Sequence, residues 1–366
     1  MNSVAELKVR LQSLGVRLPQ VEKGRRGGAG PAAGKSLIFG NTVANVPTRG
    51  WFTEGTPFDI VQNEDGFWIH ENGKEITRVE FPKTPEFYSK ETSDGISMRK
   101  VALLHGASCL ASTVCQHCIY YGTPHACTFC GIGLSLELGD TIGEKSPAQL
   151  AEVAAAAKEE GIADHVTLTS GTLAEKNKGI ERQLKAAKAI KESSGLPVHV
   201  QMEPLKDLSI IEEMPSWGVD TVGIHIESLD DKVLKRHAPI KAKLGFQDFM
   251  RNWEKALEVL GSNQVDTFII AGLGEDLKVT SERMREITEL GVYPFVVPLR
   301  PIPGTPLERE RPPSVEHMLE LLTKSAEIVR DSGLEWKKSK AGCIRCRACS
   351  ALPDVVDGID ITTKKD

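Results

Sequence analysis

The chain has 366 residues, of which 40% are hydrophobic and 26% charged, and it carries a net charge of −5. This balance suits a globular protein long enough for one α/β barrel with appendages, and it offers no basic surface to nucleic acid. No apolar signal core and no run of about eighteen apolar residues appears, so membrane spanning and secretion are set aside and a cytoplasmic protein is expected.

Val4, Leu7, Leu11 and Leu14 share one face at helical spacing and stop at Gly15, which predicts a short docking helix. Further on, Ala29-Gly-Pro-Ala-Ala-Gly34-Lys35-Ser36 has the loose spacing of a phosphate-binding loop. Such a loop needs an apolar strand before it and a helix after it. Here a charged stretch precedes it and an extended stretch, residues 36–47, follows. A surface loop is therefore preferred over an anion site built on Arg25, Arg26 and Lys35. Residues 58–81 alternate aromatic and β-branched runs with Asn-Glu-Asp-Gly and Glu-Asn-Gly-Lys turns, the grammar of a β-meander. Residues 1–98 form a small N-terminal module containing strands.

From Lys100 the pattern changes to strands alternating with helices, which predicts a parallel α/β architecture. Strands are expected at 101–105, 166–169, 198–202, 221–226, 265–271 and 293–299. Helices are expected from the Ser146-Pro147 cap to Gly161, at 179–194, and near 245–260, 278–290 and 314–332. The fold class is α/β, an open partial (β/α)6 TIM-type barrel at 99–335, with a cysteine-rich C-terminal extension at 336–366. Chemistry in such barrels sits at the C-terminal ends of the strands.

Four of the eight cysteines, Cys115, Cys118, Cys127 and Cys130, fall within one short stretch after the first strand. In a cytosolic chain such crowding points to metal or redox chemistry rather than structural disulfides. Two Cys-x-x-Cys pairs can close a zinc site or hold an iron-sulfur cluster, and this stretch alone does not choose.

Phe129 before Cys130, with Gly131 after it, resembles the end of the cluster loop of radical S-adenosylmethionine (SAM) enzymes, usually Cys-x3-Cys-x-aromatic-Cys. Thr123 stands where the first cysteine is usual, so the first ligand falls to Cys118 or Cys115. Cys118 is preferred because its loop to Cys127 is shorter and closes at a smaller entropic cost. Ser170-Gly171-Thr172 after the second strand is similar in place to the motif that receives the SAM amino group. Glu227-Ser-Leu-Asp230 with Arg236-His237-Ala-Pro239 resembles the ribose-binding stretch of the biotin-synthase-like branch. Ala271-Gly272-Leu273-Gly274-Glu275 resembles the adenine-side motif, and Pro301-Ile-Pro-Gly-Thr-Pro-Leu307 the stretch after the sixth strand of biotin synthase relatives. Together with Cys109-Leu-Ala-Ser-Thr and the C-terminal cysteines, these motifs look like a bacterial radical SAM family encoded beside nitrilase genes.

The resemblance implies a [4Fe-4S] cluster on Cys118, Cys127 and Cys130, and SAM held by Phe129, Ser170, Gly171, Thr172, Glu227, Arg236, Ala271, Gly272 and Gly274. It further implies reductive cleavage to a 5'-deoxyadenosyl radical acting on a small-molecule substrate, with a flavodoxin or ferredoxin type reductant. The mouth is expected to be closed by the N-terminal module and the loop around Tyr120 and Tyr121, themselves read as packing residues.

Cys343, Cys346 and Cys349 form a second group suited to an auxiliary iron-sulfur cluster, or to zinc, with a fourth ligand from Cys109, Cys115, a histidine or the substrate. His105, His165, His199 and His225 lie in or beside strands, where hydrogen-bonded barrel histidines are common. His225 alternates with Glu227, so both can face the interior, and His225 and Glu203 are the substrate-site candidates. The rival reading is a non-catalytic zinc or electron-carrying protein on the same barrel.

Overall fold

The computed structural model describes residues 4–19 and 34–358. Arg25, Arg26 and Ala29 of the phosphate-loop-like segment lie outside the described residues. Its last part is a strand, β1 (Gly34–Phe39), which pairs antiparallel with β2 (Thr42–Pro47) where a phosphate loop would open a helix. The predicted meander is present as β3 (Phe58–Asn63), β4 (Gly66–Glu71) and β5 (Lys74–Val79).

Seven strands make the main sheet: β6 (Leu103–His105), β7 (Cys109–Thr113), β8 (His165–Thr169), β9 (Val198–Met202), β10 (Val219–Ile224), β11 (Val265–Ala271) and β12 (Tyr293–Pro298). They lie in sequence order, and all but β6 are parallel, so the sheet curls into a half-barrel of six strands with helices outside. The first expected strand, 101–105, is corrected. Val101 ends a helical turn, Met98–Val101, and 103–105 form a short antiparallel edge to β7, the true first barrel strand.

Local chemistry explains the helices. Pro147–Glu159 begins with a capping box in which Ser146 and Gln149 exchange side-chain and backbone hydrogen bonds, with Pro147 in the first turn. Phe246–Leu260 turns Phe249, Asn252, Trp253 and Ala256 inward at helical spacing. Trp253 is fully buried, which contributes roughly 2–3 kcal/mol by area, and its indole N–H donates to the Ile224 carbonyl at 3.0 Å.

The N-terminal helix Val4–Leu14 packs on β2 with Val4, Leu7 and Leu11, in a core shared with Leu37, Phe39, Phe58 and Ile69. This module covers the open seam of the half-barrel. On one side Val43 packs with Cys109 of β7, and on the other Arg300, just past β12, donates to Asn45 Oδ1 at 2.7 Å. The expected lid is thus a seam cover; the cavity wall nearest the cysteine loop includes Tyr120 and Tyr121.

The C-terminal extension enters the barrel instead of hanging beyond it. Its short helix Gly342–Cys346 crosses the N-terminal ends of the strands, tied there by Arg345 to Asp164, by Gln264 Nε2 to the Lys338 carbonyl, and by Gln201 Nε2 to Cys343 Sγ at 3.3 Å. Lys8 of the first helix is fully buried against Asp354 of the helix Leu352–Asp357, with Nζ 2.7 Å from a carboxylate oxygen.

Candidate active site

One cavity of about 490 Å³ runs through the half-barrel, and seven cysteines line it: Cys118, Cys127 and Cys130 towards the strand C-termini, and Cys109, Cys343, Cys346 and Cys349 towards the floor. Cys115 is buried at 1% exposure outside this lining. Three backbone bonds continue the β7–β8 ladder into the loops: Val114 N–H to Thr169 O, Gly171 N–H to Cys115 O, and Ile119 N–H to Thr172 O. The cysteine loop and Ser170-Gly171-Thr172 are thereby strapped together. A Cβ on Gly171 would lie 1.8 Å from the His117 carbonyl oxygen, so this approach admits only glycine.

The far arm of the loop is held from another side. Thr128 N–H donates to the His237 carbonyl at 2.9 Å, and Thr128 Oγ1 lies 2.9 Å from His237 Nδ1. Burial pushes the Cys127 thiol up to about 12, opposed by Lys241, and burial also raises Cys130, which feels the Cys118 charge. Thiols so disfavoured as free thiolates ionise readily only on coordinating a metal cation, so the donor set fits a thiolate-ligated cluster.

Glu227 stands beyond β10 with φ of 74°, unusual for a residue with a side chain. Backbone bonds to Phe268 O and from Ile270 N–H fix it against β11. Such conformations cost on the order of 1–3 kcal/mol and gather at functional sites. Its Oε1 receives Lys241 Nζ at 2.6 Å, and the same ammonium donates to the His225 carbonyl at 2.6 Å. Burial lowers the Lys241 pKa, but the Glu227 and Cys127 charges outweigh it and the net shift is upward. Glu203 pairs with Lys178 at 2.9 Å, and both line the cavity with Phe129, Ser170, Gly171, Thr172 and His225.

Other motif residues stay outside the cavity lining. Arg236 is exposed on the helix Asp231–His237. Ala271, Gly272 and Gly274 form a turn behind Ile270, in which Gly272 and Leu273 N–H groups donate to the Glu275 carboxylate. That carboxylate also lies 2.7 Å from His317 Nε2. On the floor, Cys346 contacts Cys109, a hydrogen bond that with burial raises its thiol well above the usual range. Cys349 Sγ lies 3.3 Å from His105 Nε2. Sequence reasoning missed Lys241, Lys178 and Gln201, and placed His237 in a motif without its role of holding Thr128. Lys241 carried a signal: Pro239 opens the helix Pro239–Leu244, which turns Lys241 back over the strand end.

The family model described as the Radical SAM superfamily matches residues 118–286, which supports a radical SAM enzyme built on this half-barrel. A bacteriochlorophyllide c C-7(1)-hydroxylase from Chlorobaculum limnaeum is 24% identical over 135 residues, 36% of this chain and 33% of that protein, so the chain matches about a third of the curated relative's length. Among solved structures, methylornithine synthase is similar with a TM-score of 0.46 at 16% identity over 62% of this chain and 63% of that one. The hydrogenase maturase HydG gives 0.49 at 16% identity, over 60% and 50% of the two chains. Among the described residues no helix is long and apolar enough to cross a membrane.

Proposed function

We propose that this chain reductively cleaves SAM at a [4Fe-4S] cluster held by Cys118, Cys127 and Cys130, and directs the product at an unidentified small-molecule substrate, in the biotin-synthase-like branch and closest to the family encoded beside nitrilase genes. The observation that carries the reading is the meeting of these three cysteines, the Glu227–Lys241 pair and the Ser170–Thr172 segment around one cavity. When bound, the reduced cluster supplies the electron that breaks the SAM sulfur to C5' bond and yields a 5'-deoxyadenosyl radical. Glu227, with its carboxylate fixed by Lys241, offers an acceptor to ribose hydroxyls. Ser170, Gly171 and Thr172 offer backbone and hydroxyl groups to the SAM amino end, Phe129 packs beside them, and the turn at Ala271, Gly272 and Gly274 backs the adenine side.

The four floor cysteines suit an auxiliary iron-sulfur cluster on Cys343, Cys346 and Cys349 with Cys109 as fourth ligand, in place of the zinc alternative. Glu203 and His225, which line the same cavity as both cysteine groups, are the residues offered to a substrate. A cytoplasmic flavodoxin or ferredoxin type reductant completes the reading.

The test is anaerobic: reconstitute with iron and sulfide, add dithionite and SAM, and quantify 5'-deoxyadenosine against Cys127→Ala. Product from the native chain alone supports the proposal. A fully loaded chain that neither forms product nor changes the reduced cluster's EPR spectrum on adding SAM rejects it.

A further inference from the structure

Beside the floor cysteines lies a second set of ligands. His199 on β9, His225 just past β10 and Asp266 on β11 are each less than a tenth exposed. His199 Nε2 is 3.9 Å from one oxygen of the Asp266 carboxylate, and His225 Nδ1 is 3.7 Å from the other. One ligand atom from each of the three residues lies within 4.8 Å of the others.

The hydrogen-bond network frees a lone pair of His199 towards Asp266. His199 Nδ1 is 2.8 Å from Thr221 Oγ1, and with its hydrogen donated there Nε2 presents a lone pair to Asp266. His225 Nδ1 accepts a long bond from the Phe268 amide at 3.2 Å, so an ion bound there takes that lone pair over from the amide; the ring hydrogen is then on Nε2, which has no partner among the described residues. Neither His199 Nε2 nor Asp266 Oδ1 has a hydrogen-bond partner among the described residues. Acceptors that converge in a buried space without a donor are costly. Burial raises Asp266 and lowers both histidines, His199 to about 3, so the imidazoles are neutral. One proton on Asp266 serves at most one histidine, and 3.7 Å is too long for that hydrogen bond.

We propose that His199, His225 and Asp266 hold a single divalent transition-metal ion, zinc or iron(II), separate from any iron-sulfur cluster. Neutral imidazole with carboxylate suits both ions. Metal bonds near 2.1 Å space tetrahedral ligand atoms about 3.4 Å apart, so the two histidine–carboxylate separations of 3.7 and 3.9 Å close with shifts of a few tenths of an ångström, while the two histidine nitrogens lie within 4.8 Å of each other. Thr221 supplies the outer hydrogen bond that orients a metal-bound histidine. Bare backbone lets the two rings pack closely: a Cβ at Gly223 would come 2.4 Å from His225 Cε1, and one at Gly342 2.5 Å from His199 Nδ1. Of the three ligands, His225 lines the cavity, so the ion would reach a substrate through its side of the site.

The test counts zinc, iron and acid-labile sulfide in the anaerobically reconstituted chain. Iron-sulfur clusters of the [2Fe-2S] and [4Fe-4S] types hold one iron per sulfide, so metal in excess of sulfide reports the mononuclear site. The expected excess is roughly one equivalent per chain, lost in Asp266→Asn and in His225→Gln with sulfide unchanged. Cys127→Ala should lower sulfide and keep the excess, so failure of the cluster reading and failure of this one look different. Supplying zinc alone and iron(II) alone identifies the ion held. Excess metal near zero in the native chain offered both ions overturns the proposal and leaves Asp266 a buried neutral acid. Excess metal unchanged in Asp266→Asn overturns it too, and His225→Gln decides the matter should Asp266→Asn misfold.

Discussion

Lys241 Nζ and Glu227 Oε1 meet at 2.6 Å beside Cys127, joining the helix Pro239–Leu244 to the end of β10. Lys241→Met leaves the Glu227 carboxylate without its cation in a mostly buried position, which should cost on the order of 3 kcal/mol. Thermal unfolding should show that loss. Lys241→Met with Glu227→Gln should recover most of the stability while SAM affinity, read by calorimetry, stays at least tenfold down. Full SAM affinity in the double variant would remove the pair from the SAM site.

Cys118→Ala should abolish the SAM-binding cluster, whereas Cys115→Ala should keep it, because Cys118 lines the cavity and Cys115 does not. Iron and sulfide content with EPR after reduction checks this. The reverse pattern would move the first ligand to Cys115.

Gly171→Ala drives a methyl group into the His117 carbonyl oxygen. The neighbour is backbone, so the cysteine loop must shift. A destabilisation of about 2–3 kcal/mol is expected, with a fall in cluster content that Ser170→Ala does not share.

Lys8→Met removes one member of a fully buried ion pair and should destabilise the chain by about 3–5 kcal/mol. Among the described residues Asp354 then keeps Arg347, 3.6 Å away, as its cation. Lys8→Met combined with Asp354→Leu should restore much of that loss, as a denaturant melt will show, because two apolar groups leave no charge stranded.

Cys343→Ala and Cys349→Ala should each lower iron and sulfide by the share of the floor cluster and leave SAM-induced EPR changes intact. Loss of the SAM effect as well would mean that the two cysteine groups serve one site.

The legible parts of the fold were those that local pattern determines. The largely apolar stretches at 265–271 and 293–298, and the Val198-His-Val-Gln-Met alternation, could be read as strands because half-barrel strands need them. The first barrel strand was misplaced because Cys109-Leu-Ala-Ser-Thr113 is poor in β-branched residues, while Val101-Ala-Leu-Leu104 nearby looks more strand-like but divides between a helical turn and an edge. The motifs located the loops of the site, yet motif membership did not say which residues face the cavity. Arg236 sits on the exposed side of its helix, and the Gly272 and Gly274 turn is occupied with Glu275. Least legible was the floor, since the placement of Cys343 beneath Gln201 joins residues 142 positions apart.

Lys8 and Asp354 lie 346 positions apart in the chain. Contacts of such sequence separation form late, because loop closure must precede them. The half-barrel and its upper cysteine loop can therefore assemble while the seam and floor still stand open. In that interval all seven lining cysteines stand open to solvent, and the docking of the Lys8 helix onto the Asp354 helix closes the cavity around whatever they hold.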